Sequence, residues 1–157
     1  MNLKLKSYNL QRGQSLFEVV LALGVIAAIT VGIVSLTVSS IRNAAFSKNK
    51  TLAGRYAQEA IEWLRSERDK NFTVFKTRVQ TPPLKWCLTG PDLNWNKHSA
   101  CGVSDYISGS PPLFREVTFS GSTISGSTII RASVRVYWTD AQGAHEVTST
   151  TLFSDWK

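Results

Sequence analysis

Hydrophobic positions along this chain follow three rhythms in succession. From Val19 to Ile41 no charged residue occurs, an apolar run of 23 residues. At about 1.5 Å per helical residue such a run extends roughly 35 Å, enough to cross a bilayer. A secretory signal has an apolar region of only about 7–15 residues, so this run is too long to be one. Beyond Arg42 the apolar residues Ala45, Phe46, Leu52, Ala53, Tyr56, Ala57, Ala60, Ile61 and Leu64 recur in threes and fours. That spacing predicts an amphipathic helix, with Lys48, Lys50, Arg55, Glu59, Glu62, Arg65 and Glu67 mostly on its other faces. No proline lies between Gln14 and Gln80. One continuous helix of about 55 residues is therefore expected, ending between Asp69 and Phe72.

The second rhythm is irregular. Pro82, Pro83, Pro91, Pro111 and Pro112 punctuate residues 71–112, which reads as a long connection. After Pro112 the period becomes two. Arg115, Val117 and Phe119 alternate with Phe114, Glu116, Thr118 and Ser120, and Ala132, Val134, Val136 and Trp138 alternate with Arg131, Ser133, Arg135 and Tyr137. A Gly/Ser loop is expected over Ser120–Ser127, a turn at Asp140–Gly143, and a Thr-rich strand over Glu146–Phe153. The predicted fold is α+β, a long N-terminal helix on a small antiparallel sheet. Its parts are residues 1–13 as a basic leader, 14–41 and 42–70 as the apolar and amphipathic helix halves, 71–112 as a loop region, and 113–157 as the sheet.

Charge sharpens the picture of the N-terminus. Of the net charge of +7, Lys4, Lys6 and Arg12 supply three units with no acid among them. By the positive-inside rule this leader stays in the cytoplasm and the body from Arg42 onward lies outside. The remaining charge is too small to demand a nucleic-acid partner. Glu18 interrupts the apolar character at the cytoplasmic border. A carboxylate there either reaches the interface or serves a function, because such a group deep in a bilayer costs several kcal/mol.

Cys87 and Cys101 lie in the polar half. Outside the cytoplasm a disulfide is the simplest reading. A metal site would need more ligands than Cys87, Cys101 and His98 supply, with His145 brought in from far along the chain. No metal or cofactor is expected. An enzyme reading has no support either: the two histidines match no nucleophile or metal spacing, and Asp92, Asp105 and Asp140 fall where turns use Asp for backbone reasons. Lys85, Trp86, Trp95, Lys97 and His98 interleave basic and aromatic residues, as single-stranded nucleic-acid sites do, though packing and solvated charge explain them as well. Asn71-Phe72-Thr73 matches a glycosylation sequon, a short motif that often occurs by chance.

The run Arg12-Gly13-Gln14-Ser15-Leu16-Phe17-Glu18-Val19-Val20-Leu21-Ala22-Leu23 resembles the processing motif of type IV prepilins. In that family a basic leader ends in Gly, the bond after it is cut, and a Glu follows five residues later at the head of a long apolar helix. Gly13, Ser15, Leu16 and Glu18 match. Gln14 departs from the pattern, which has an apolar residue there, so the resemblance bears on the cut more directly than on methylation of the new terminus. It implies processing by a prepilin peptidase at Gly13–Gln14, with other pilin subunits as partners through the N-terminal helix. It further implies residence in the bacterial inner membrane as a precursor, followed by assembly into an extracellular filament. Glu18 would then neutralise the terminal amine that the cut creates, in its own chain or a neighbour. A minor pilin is favoured over a major one. The alternatives are a pseudopilin of type II secretion and a membrane-anchored binding protein that does not polymerise.

Overall fold

A computed structural model describes residues 16–154, apart from Pro83, Pro91, Ser108, Ser125 and Gly126. Two compact units, residues 1–45 and 46–157, make up the chain. Helix α1 runs over Leu16–Lys70, 55 residues, as the proline-free periodicity predicts. Arg68 and Lys70 occupy its last turn, where cations complement the negative end of the helix dipole.

Within the second unit the buried side of α1 consists of Asn49, Ala53, Ala57, Ala60, Ile61 and Leu64. The expected stripe is thus present from Ala53 onward. Its predicted beginning is present only in part: Ala45 is exposed, Phe46 is 36% exposed yet packs on His145 and Trp138 with ring centroids 5.0 and 6.3 Å away, and the first buried position is the polar Asn49. Three alanines with no exposed surface let the helix backbone lie close to the sheet, and larger side chains at its ends fill the remaining depth.

The segment after α1 corrects the expectation of an irregular connection over 71–112. Helix α2 occupies Phe72–Gln80 and strand β1 occupies Lys85–Cys87. Asn71, read only as a sequon, is the N-cap of α2, and its side-chain oxygen accepts the Val74 N–H at 3.0 Å. That cap satisfies one of the orphan donors of the first turn. α2 buries Phe75 and Val79, four residues apart on one face. The helix was hidden by its length of nine residues and by its β-branched Thr73, Val74, Thr77 and Val79, which have low helix propensity.

Strands β2 (Phe114–Ile124), β3 (Ser127–Asp140) and β4 (Gly143–Ser154) follow. The sheet is an antiparallel meander in the order β1-β2-β3-β4. Of the predicted Gly/Ser loop over Ser120–Ser127, Ser120–Ile124 and Ser127 are instead ladder, paired through Gly121↔Ile130 and Ser122↔Ile129 to Ile124↔Ser127, and Ser125 and Gly126 lie outside the described residues. Ser and Thr are tolerated in a strand once its partner supplies every backbone hydrogen bond, and here the pairing overrides composition. The Asp140–Gly143 turn is where it was expected. Asp140 accepts the Gln142 N–H at 2.9 Å, and Gly143 has φ +124°, a conformation that strongly favours glycine.

The inward face of the sheet presents Val117, Phe119, Val134, Val136 and Trp138 to α1 and α2. One member of that face is charged. Arg115 lies between Leu113 and Val117 in the alternation and has no exposed surface. Its guanidinium donates to the Leu88, Tyr56 and Gly90 carbonyls, each at 3.3 Å, and to Glu59 Oε2 at 3.0 Å. Burial pushes the group below its ordinary pKa, while the Glu59 carboxylate opposes that shift. Every guanidinium nitrogen has an acceptor, which is the condition for tolerating a buried charge. Truncation, Arg115→Ala, is expected to lower unfolding free energy by about 3–5 kcal/mol, because it opens a cavity and strips loop carbonyls of their donor. Chemical denaturation of the two proteins checks this. A double-mutant cycle with Glu59→Ala should give a sum that is clearly non-additive.

Candidate functional site

Three regions carry the residues singled out from the sequence. The processing residues Gly13 and Gln14 lie outside the described residues. Glu18 lies in the first turn of α1. From Leu16 to Ile41 every residue is exposed, and the most apolar 18-residue window of α1 has a mean hydropathy of 2.7. By length and composition this helix can cross a membrane. Its internal polar groups suit an apolar solvent. Thr30 Oγ1 donates to the Ile26 and Ala27 carbonyls at 3.0 and 2.9 Å, and Thr37 Oγ1 donates to the Ile33 carbonyl at 2.9 Å. These hydroxyls need nothing from outside the helix. Gly24, Ala28 and Gly32 recur every four residues, and an added Cβ at either glycine would meet no atom within 4 Å. Nothing within this unit requires those glycines.

The second region is the loop between Cys87 and Cys101. The two form a disulfide with Cα atoms 4.9 Å apart. Both thiols are thereby used, which removes the sulfur ligands of the metal alternative. Among the described residues no group of three or more His, Cys, Asp or Glu is placed to hold a metal. Cys87 donates its N–H to the Lys97 carbonyl at 3.0 Å. Cys101 donates its N–H to the buried Glu116 carboxylate at 2.8 Å, and that carboxylate also accepts the Tyr137 hydroxyl at 3.3 Å. Burial and the nearby Glu116 charge raise the Tyr137 pKa.

The basic and aromatic residues of this loop are all engaged. Lys97 pairs with Asp105, and Lys85 lies 3.7 Å from Glu116. Trp86 is buried and stacks on His98 with ring centroids 4.1 Å apart. Trp95 meets Trp63 of α1 at 4.7 Å and Trp86 at 5.0 Å. Each lysine thus has a carboxylate partner, and both tryptophans have ring partners within the protein. The loop aromatics are a packing post against the helix.

Glu67 completes that post, a role the sequence did not reveal. Its carboxylate accepts the Trp95 indole N–H at 2.7 Å and the Lys70 ammonium at 2.7 Å, with Arg78 of α2 at 3.5 Å. The Lys70 hydrogen bond holds its pKa below the usual carboxylate value; burial opposes this, and the Trp95 bond adds to the lowering. A third feature is an open cleft of about 310 Å³ lined by Leu52, Arg55, Tyr56 and Glu59, on the α1 turns that hold Arg115. It brings together one cation, one carboxylate, a phenol and an alkyl chain, with no nucleophile–base pair among the four.

No family model, curated protein or solved structure matches this chain. The geometry and the residues themselves carry the functional reading.

Two outcomes follow from the loop and its post. Replacing both cysteines by serine should cost about 3 kcal/mol of stability on the chain-entropy model, read from denaturant midpoints of the full chain in detergent. The Glu67 pKa is depressed on folding, so its stabilisation is fully present above the ordinary carboxylate range. It is lost as pH falls through the lower folded-state value. Thermal melts of the wild type should therefore fall more steeply with acid than those of Glu67→Gln, and the Trp95 indole proton should shift over the same interval.

Proposed function

We propose that this protein is a structural subunit of a type IV pilus-like filament, cut after Gly13 and assembled through its N-terminal helix. What carries the reading is the unequal treatment of one helix. Leu16–Ile41 is apolar and exposed on all sides, whereas from Asn49 to Leu64 one stripe is buried in the second unit. A helix apolar all round needs another solvent or other helices to cover it. A bilayer first and a bundle of identical helices later would supply both. The recurrence of Gly24, Ala28 and Gly32 fits the second stage, since small residues let helix backbones approach closely.

The resemblance around Gly13 and Glu18 adds the chemistry. Proteolysis after a glycine is eased because no side chain crowds the scissile bond. The new amine on Gln14 and the Glu18 carboxylate would neutralise each other away from water, where either alone is costly. Membrane topology with the second unit outside rests chiefly on the Cys87–Cys101 disulfide, since such bonds persist in oxidising compartments. The leader's three cations are matched by Arg42, Lys48 and Lys50 on the other side of the apolar run, so flanking charge alone orients it weakly. Within this reading a minor pilin is favoured; a type II secretion pseudopilin shares every feature named.

Intact-mass spectrometry of the protein purified from cells containing a prepilin peptidase should show loss of Met1–Gly13. A chain that retains those residues there is an anchored protein outside this superfamily. Glu18→Ala should still be inserted and cut, yet enter filaments about tenfold less well, equivalent to roughly 1.4 kcal/mol of lost pairing. Normal incorporation would remove the pairing role.

A further inference from the structure

The sequence holds two Asn-X-Thr sequons, Asn49-Lys50-Thr51 and Asn71-Phe72-Thr73, and the fold treats them oppositely. Asn49 lies within α1 at 8% exposure, and the Thr51 hydroxyl is engaged by the Ser47 carbonyl at 2.9 Å. A bulky group has no room on such an amide. Asn71 is exposed, as are Asp69, Lys70, Thr73 and Val74 around it. It is the single residue between α1 and α2, and its backbone is extended at φ −162° and ψ 100°. The two ends of its side-chain amide differ. Oδ1 accepts the Val74 N–H, whereas among the described residues Nδ2 bonds nothing, and neither does the Thr73 hydroxyl.

We propose that Asn71 is an acceptor site for an N-linked oligosaccharide. The inference goes beyond the filament reading and rests on one part of it, the placement of the second unit outside the cytoplasm. The co-substrate is an oligosaccharide joined to a lipid through a diphosphate. In the transfer a bond forms between Nδ2 and the anomeric carbon of the sugar, and the bond from that carbon to the diphosphate oxygen breaks. Its electron pair leaves on the lipid diphosphate, and Nδ2 gives up one proton to solvent.

Three features suit this step. The free Thr73 hydroxyl stands two residues after the acceptor, where the sequon requires it. Asp69 stands two residues before and gives the segment the acid-X-Asn-X-Thr form that bacterial transferases of this class accept, whereas Asn49 has Ser47 in that place. The acceptor must also enter an enzyme groove as open chain, and α2 yields readily. Nine residues that include Thr73, Val74, Thr77 and Val79 make a marginal helix without tertiary support. Once the sugar is attached, Oδ1 still accepts the cap hydrogen bond, so modification and folding do not compete. The glycan then stands in solvent at the α1–α2 corner and shields it from proteases.

The test co-produces the full chain in bacterial cells with an oligosaccharyltransferase and its lipid-diphosphate oligosaccharide, beside a secreted acceptor protein as control. Mass spectrometry of peptides cut without reduction reads Asn49, Asn71 and the Cys87–Cys101 link together. The expected result is the oligosaccharide mass on the Asn71 peptide and none on the Asn49 peptide. Asn71→Asp keeps a capping oxygen but lacks the amide nitrogen, so it should lose the glycan wholly while keeping the thermal melt of the unmodified chain. Thr73→Ser should keep the glycan, and Thr73→Ala should lose it. A bare Asn71 peptide beside a glycosylated control overturns the proposal, as does a glycan on Asn49 alone or one that survives Asn71→Asp. The cysteines separate the two levels. A bare Asn71 with the disulfide formed refutes the glycan site alone, whereas a bare Asn71 with free thiols refutes the outward placement as well.

Discussion

The second unit is organised around a charge placed where a hydrophobic residue would ordinarily be. Arg115 sits on the inward face of β2, flanked by Leu113 and Val117, and its guanidinium reaches three separate pieces of backbone and one carboxylate. The side chain has no exposed surface, so the cation is tolerable only while all its acceptors stay in place. The condition couples parts that a purely apolar core would leave independent. Helix α1 supplies the Tyr56 carbonyl and Glu59, and the loop after β1 supplies the Leu88 and Gly90 carbonyls. Shift the helix by one residue, or release the loop, and a buried donor loses its partner.

The same loop is fastened again by covalent and aromatic means. The disulfide joins its two ends, and Trp95 inserts between Trp63, Trp86 and Phe75 while bonding Glu67. These fastenings differ in their sensitivities. Acid weakens the Glu67 contacts and reductant opens the disulfide, whereas the three carbonyl acceptors of Arg115 respond to neither. A segment with almost no repetitive structure is thus fixed at its two ends and at its centre.

Much of this was legible in the sequence. The absence of proline and the spacing of Ala53, Ala57, Ala60, Ile61 and Leu64 located α1 and its buried side, and period-two alternation located β2, β3 and β4. The alternation even put Arg115 in phase with Val117 and Phe119, the face that proved to be inside. What failed was the habit of treating charge as a mark of the surface: Glu67 is largely covered and bonds Trp95, whereas Glu59 is exposed as expected and still reaches Arg115. Local composition also misled: α2 is rich in β-branched residues, and the Ser120–Ser127 stretch has turn residues, yet tertiary pairing made a helix of one and a ladder of the other. The candidate site is split in a similar way. Cys87 and Cys101 pair as expected and Glu18 stands in the first turn of α1, while the lysines and tryptophans of the loop have ion-pair and ring partners that the sequence did not reveal. The reach of a side chain across 59 residues to the Tyr56 carbonyl leaves no short-range signal.

That reach has a consequence for the order in which the chain is completed. All four acceptors of Arg115 precede it in the sequence, by 25 to 59 residues. During synthesis the helix and the loop emerge first, joined only where Trp95 packs on Trp63 and bonds Glu67. Contacts of such long sequence separation form late, after the entropy of closing a large loop has been met. The helix made earliest therefore waits for β2 before its Tyr56 carbonyl and Glu59 meet their donor, and β3 and β4 must still follow to complete the core.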